Sequence, residues 1–147
     1  MAPSKSVDPD AAEKTALLDV YGAMTAAEVR TYQTAKLDPE LSRYATHKAL
    51  ADIQSTLFWY QQKSTLMRGA PTHAPVVNKL VTAGDPLTAE ITDCVDSTGY
   101  DKVHKDSGKL AAAPSGPRRH VVVSTAQRTR TGQWQIYTSS IERDRTC

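Results

Sequence analysis

From Leu17 to Tyr32 the apolar positions recur at spacings of three and four. Leu17, Leu18, Tyr21, Thr25, Val29 and Tyr32 fall along one stripe, which predicts a long amphipathic helix over about residues 9–36. Asp8-Pro9-Asp10 supplies its start. Asp8 can cap, Pro9 suits the first turn, and Asp10 and Glu13 favour the positive end of the helix dipole. Asp38-Pro39-Glu40 repeats that signal and opens a short helix through Leu41 and Tyr44. A third helix follows Thr46, with Leu50, Ile53, Leu57 and Tyr60 on one face. Phe58 and Trp59 broaden that face, so this helix is expected to be the most buried of the three.

After Ser64 the period changes. Gly69, Pro71 and Pro75 break any helix. Val76–Val81 reads as a first strand and Gly84-Asp85-Pro86 as a turn. From Thr88 to Asp96 the chain alternates: Ala89, Ile91, Asp93 and Val95 share one face, while Thr88, Glu90, Thr92, Cys94 and Asp96 share the other. Residues 97–118 form a polar connection longer than ordinary hairpin loops. His120–Arg130 and Trp134–Arg143 read as a closing hairpin around Thr131-Gly132-Gln133. Helices first and strands afterwards indicate an α+β fold, with an antiparallel sheet of about four strands curled around the helices.

The length of 147 residues suits one core. Residues 1–7 are expected to be a disordered lead-in and 8–147 a single domain. Hydrophobic content of 39% and charged content of 23% are ordinary for a globular chain. No apolar run nears the roughly 20 residues that cross a membrane. The first ten residues lack the apolar stretch of a signal peptide. Either the chain is cytosolic, or Met1 opens a mature domain whose export signal has been removed.

Charge is uneven. Residues 1–98 carry nine basic and twelve acidic side chains, and residues 99–147 carry nine basic and four acidic. Arg118-Arg119-His120 beside Arg128 and Arg130 could make a basic stripe for phosphate or an acidic partner. A solvated sheet face explains the same residues, and the cluster is too sparse for nucleic acid to be the expected partner.

The two cysteines, Cys94 and Cys147, fit neither a CxxC redox motif nor a zinc site. A bridge between them would close a loop of 53 residues and add roughly 4 kcal/mol on the chain-entropy account. Such bonds persist in oxidising compartments. Two independent buried thiols are the alternative.

This order of elements resembles the NTF2-like superfamily, also called cystatin-like or SnoaL-like, in which N-terminal helices rest in a strongly bent sheet. The residues that carry the resemblance are the closing hairpin Arg130-Thr131-Gly132-Gln133-Trp134-Gln135-Ile136. More narrowly, Thr92-Asp93-Cys94-Val95-Asp96 with a final Cys147 looks like secreted and lipoprotein-type members from actinobacteria. That likeness implies a cone-shaped fold over residues 9–147, a Cys94–Cys147 bridge and an extracellular or cell-envelope location. It implies no activity.

No phosphate-binding loop, dinucleotide fingerprint, HExxH or GxSxG motif is present. His47, His73, His104 and His120 are scattered without metal-ligand spacing and read as surface or loop residues. No metal and no cofactor is expected. Enzymes of the NTF2-like fold work inside the cone with Asp, His or Tyr as acid or base, which draws attention to Asp93. A carboxylate on an apolar strand face is costly unless it is paired or functional. Asp93 is the weak catalytic candidate, with Tyr21, Trp59, Tyr60 and Tyr137 as the candidate pocket beside it. A slip of face, or a turn-capping Asp93, would remove the site.

The leading expectation is a non-catalytic exported binding or interaction domain for an unknown protein or small molecule. One alternative is a small-molecule enzyme of isomerase, dehydratase or cyclase type using Asp93. Another is a component of a cell-envelope or conjugation-type assembly. Homodimerisation through the open sheet face is a further expectation carried by the resemblance.

Overall fold

The computed structural model describes residues 8–147; the expected lead-in at 1–7 lies outside the described residues. Three helices come first: α1 (Ala11–Thr34), α2 (Leu41–Tyr44) and α3 (His47–Lys63). Six strands follow: β1 (Thr65–Arg68), β2 (Pro75–Val81), β3 (Leu87–Asp96), β4 (Asp101–His104), β5 (Arg119–Arg128) and β6 (Gln135–Glu142). Four of them form one antiparallel sheet in the order β2-β3-β5-β6, and β1 pairs with β4 in a small second sheet. The fold is α+β, with helices set against a curved antiparallel sheet. Register shifts between Val77 and Lys79, and between Thr125 and Ala126, mark irregularities that help a sheet bend.

The α1 stripe is the spine of the core. Leu17, Tyr21, Met24, Ala27 and Tyr32 are buried against Leu87, Ala89 and Ile91 of β3 and against Trp134 and Ile136. Trp134 is 1% exposed, and its indole N–H donates to Glu13 Oε2 of α1 at 2.8 Å. The closing hairpin is thereby pinned to the start of the first helix. The linker between α2 and α3 is tied to the same hairpin, where Thr46 N–H donates to the Ile136 carbonyl at 2.9 Å.

Two expectations are corrected here. α1, not α3, is the most buried helix: α3 buries only Ala49, Ile53 and Leu57. Phe58 and Trp59 are 52% and 58% exposed and pack edge-to-face on each other. The reason is angular. At about 100° per residue, Phe58 and Trp59 turn away from the Ile53–Leu57 face that packs inward. The connection at 97–118 also contains a strand, β4, which is short and pairs with an equally short β1.

The Cys94–Cys147 disulfide is present, with Cα atoms 6.0 Å apart. Cys94 lies on the face of β3 opposite Asp93, so the bridge fastens the chain's last residue to the sheet. No described helix is long and apolar enough to cross a membrane.

Candidate functional site

The helices and the inner sheet face leave a cavity of about 350 Å3 between them. Tyr21, Thr25, Glu28 and Tyr32 of α1 form one wall; spaced by four, three and four, they stack turn upon turn on one helix face. Ile53, Thr56 and Tyr60 of α3 form a second wall. Val95, Val122 and Ser139 come from the sheet, and His73 and Tyr100 from connections.

Tyr100 is held by backbone geometry. Its N–H donates to the Ser97 carbonyl at 3.0 Å. Arg118 binds the Ser97 and Tyr100 carbonyls and the Asp101 carboxylate. Gly69, at φ +83°, lies so close that a Cβ there would collide with the Gly99 carbonyl oxygen. Only glycine fits a left-handed residue under such an approach.

Asp93 sits behind the cavity wall with no exposed surface. The alternation of β3 places it there: Leu87, Ala89, Ile91 and Asp93 are all buried on the inner face. Three donors meet its carboxylate. Tyr21 O–H donates to Oδ2 at 2.6 Å, His73 Nδ1 to Oδ2 at 2.7 Å, and Ala74 N–H to Oδ1 at 2.7 Å. Burial by itself pushes the Asp93 carboxyl up, but the bonds from His73, Tyr21 and Ala74 outweigh it and hold the group below its ordinary value. An ionised carboxylate only accepts, so His73 Nδ1 carries the proton and Nε2 is the free nitrogen of a ring that lines the cavity. Burial and the neighbouring Asp93 charge push the Tyr21 hydroxyl well above its ordinary value, so it stays a donor.

Glu28 is the other ionisable group in the wall. Burial raises its carboxyl to about 7, opposed by the nearby His73 charge, and among the described residues no hydrogen bond or ion pair of its side chain lowers it. Burial likewise raises the hydroxyls of Tyr32, Tyr60 and Tyr100, with the Glu28 charge adding to each.

Of the residues expected from sequence, Tyr21 and Tyr60 line the cavity and Asp93 backs it. Trp59 does not belong to it: it faces outward from α3. Tyr137 does not either, because it stacks on His47 with ring centroids 4.3 Å apart and lines a separate depression near Gln127 and Gln135. His73, expected to be a surface or loop histidine, is on a connection but bonded to Asp93. Glu28 was not among the expected residues. Its signal was present, a carboxylate three residues after Thr25 and four before Tyr32 in the apolar stripe. The basic stripe does not form. Arg119 pairs with Asp96 at one end of β5 and Arg128 with Glu13 at the other. Among the described residues, no group of three or more His, Cys, Asp or Glu side chains could hold a metal ion.

No protein-family model matches the chain, and no curated protein does. Solved structures do match it. One is the intermembrane space region of the chloroplast protein ARC6, 14% identical with a TM-score of 0.53, covering 93% of this chain and 98% of that one. Another is the Kfla4162 protein from Kribbella flavida, 18% identical with a TM-score of 0.48, covering 90% of this chain and 91% of that one. Sequence identity this low speaks for fold and not for activity. Over nearly its whole length, the chain is similar in fold to the ARC6 intermembrane space region.

Proposed function

We propose that this chain is an exported domain of the NTF2-like kind that binds a small molecule in its cone. The observation that carries this reading is the cavity of about 350 Å3, within the usual range for ligand pockets. Its wall mixes apolar and aromatic side chains with Glu28, His73 and several hydroxyls. A cone serving only as scaffold would be filled by its own side chains. The disulfide supports an oxidising compartment, and the ARC6 region of similar fold is named for an intermembrane space.

Native mass spectrometry of the protein from its own host, under non-reducing conditions, tests this reading. The expected mass is that of the oxidised chain plus a retained small molecule, lost when Thr56→Phe fills the cavity. An empty wild-type protein would turn the reading towards a protein partner, and free thiols would remove the exported location.

A second reading rests on the Asp93–His73 bond. With Nδ1 held by Asp93, His73 in its neutral form would present Nε2 as a base, and Glu28 stands in the same cavity as a carboxyl group able to give or take a proton near neutral pH. That arrangement suits proton transfer on a bound molecule. Conversion of the retained molecule by wild type, lost in His73→Gln while binding persists, would favour an enzyme over a carrier.

A further inference from the structure

Glu28 is the unbalanced charge of the cavity interior. Asp93 is satisfied by three donors and has no exposed surface. His73 is committed to Asp93 through Nδ1. At the rim, Asp52 is tied to Lys48 at 2.6 Å and Arg143 is exposed. Among the described residues Glu28 has none of these attachments, and Tyr32, Tyr60 and Tyr100 line the same space. Tyr32 and Tyr60 pack edge-to-face, with centroids 5.2 Å apart. Their raised hydroxyls keep the rings neutral.

A carboxylate among neutral aromatic rings suits one ligand chemistry above others. Ring faces carry partial negative charge and attract cations, most strongly where water is excluded. Tyr60 already does so on one side, where Lys102 Nζ lies 4.9 Å from its centroid. An anion would be repelled by Glu28. A neutral apolar molecule would strip water from the carboxylate and return nothing to it. A fixed cation supplies the missing counter-charge.

Building on the pocket reading above, we propose that the cavity selects a small organic ammonium ion, its cationic head on the Glu28 carboxylate among Tyr32, Tyr60 and Tyr100.

The test is isothermal titration calorimetry of the full chain with choline and with 3,3-dimethyl-1-butanol, its uncharged isostere, at pH 8 and pH 6. At pH 8 choline is expected to bind about tenfold or more tightly than the alcohol. In Glu28→Gln that preference falls to about twofold or less. At pH 6 choline binding weakens and releases protons, because the cation favours the ionised carboxyl. The other titratable or charged groups around Glu28 are Tyr21, Tyr32, Tyr60, Tyr100, His73, Asp52 and Arg143. The Gln variant separates its contribution from theirs. Glu28→Gln removes the charge without changing shape, and a thermal melt confirms that it folds.

Equal binding of choline and the alcohol would overturn the ammonium preference while leaving the pocket intact. A choline preference that survives Glu28→Gln would overturn the assignment to Glu28. Binding of neither probe would overturn the ammonium proposal; the retained-ligand measurement judges the pocket separately.

Discussion

Asp93 and His73 lie twenty residues apart in sequence and 2.7 Å apart in the folded chain. Their bond fastens the connection before β2 to the inner face of β3. Asp93→Ala leaves the Tyr21 hydroxyl and the Ala74 N–H without their acceptor, which should cost about 3 kcal/mol in urea unfolding at pH 7. Asp93→Asn retains one acceptor and should cost less. Because the folded carboxyl lies below its ordinary value, its stabilisation is present above the unfolded value near 3.8 and lost as pH falls further. An acid titration of stability should therefore be shallower in Asp93→Asn, the rest of the limb coming from Asp8, Asp38 and Asp96, whose carboxyls are likewise held low.

Glu28 has the opposite sign. Its folded value of about 7 exceeds the ordinary 4.5. Between those values the folded chain keeps a proton that the unfolded chain has released. Stability then falls as pH rises through that window and stays lowered above it, by on the order of 2–3 kcal/mol. Glu28→Gln should match wild type near pH 4.5 and exceed it by that amount at pH 8. Chemical denaturation at the two pH values measures the difference. A wild-type curve flat from pH 4.5 to 8 would contradict the desolvated setting of the carboxyl.

The disulfide spans 53 residues of sequence. Cys94→Ser with Cys147→Ser should lower unfolding stability by about 4 kcal/mol. The same loss should appear when wild type is unfolded in reductant, and the double variant should be indifferent to reductant.

Trp134 ties the closing hairpin to α1 by packing and by its bond to Glu13. Trp134→Ala should cost about 3–5 kcal/mol. Trp134→Phe keeps part of the packing but loses the indole donor, and Glu13→Gln should cost far less, because the Glu13 side chain is 30% exposed. Thermal unfolding of the three variants should rank them in that order.

Much of the fold could be seen in the sequence because periodicity depends on neighbours along the chain. The α1 stripe and the β3 alternation are local patterns, and they located Tyr21 and the inward-facing Asp93. β1 and β4 are not visible in the sequence: four residues each are too few to show alternation, and their mutual pairing joins segments more than thirty residues apart. His73 carries no local mark, since what defines it is a bond to a residue twenty positions away. Residue type alone marks Trp59 as a pocket aromatic and Tyr137 as a partner for Asp93. Helical angle turned the first outwards, and stacking on His47 engaged the second. Glu28 is hard to see in the sequence because it interrupts the apolar stripe in which it stands.

The collision that a side chain at Gly69 would make with Gly99 has an evolutionary consequence. Thr56 and Tyr60 stand part-buried on α3 and can be exchanged one at a time, each altering the chamber without disturbing the core. Tyr100 hangs from a turn whose position depends on a residue with no side chain at all. A lineage could retune its ligand through the helical wall in single steps, whereas change from the Tyr100 side would first require the backbone at Gly69 to move.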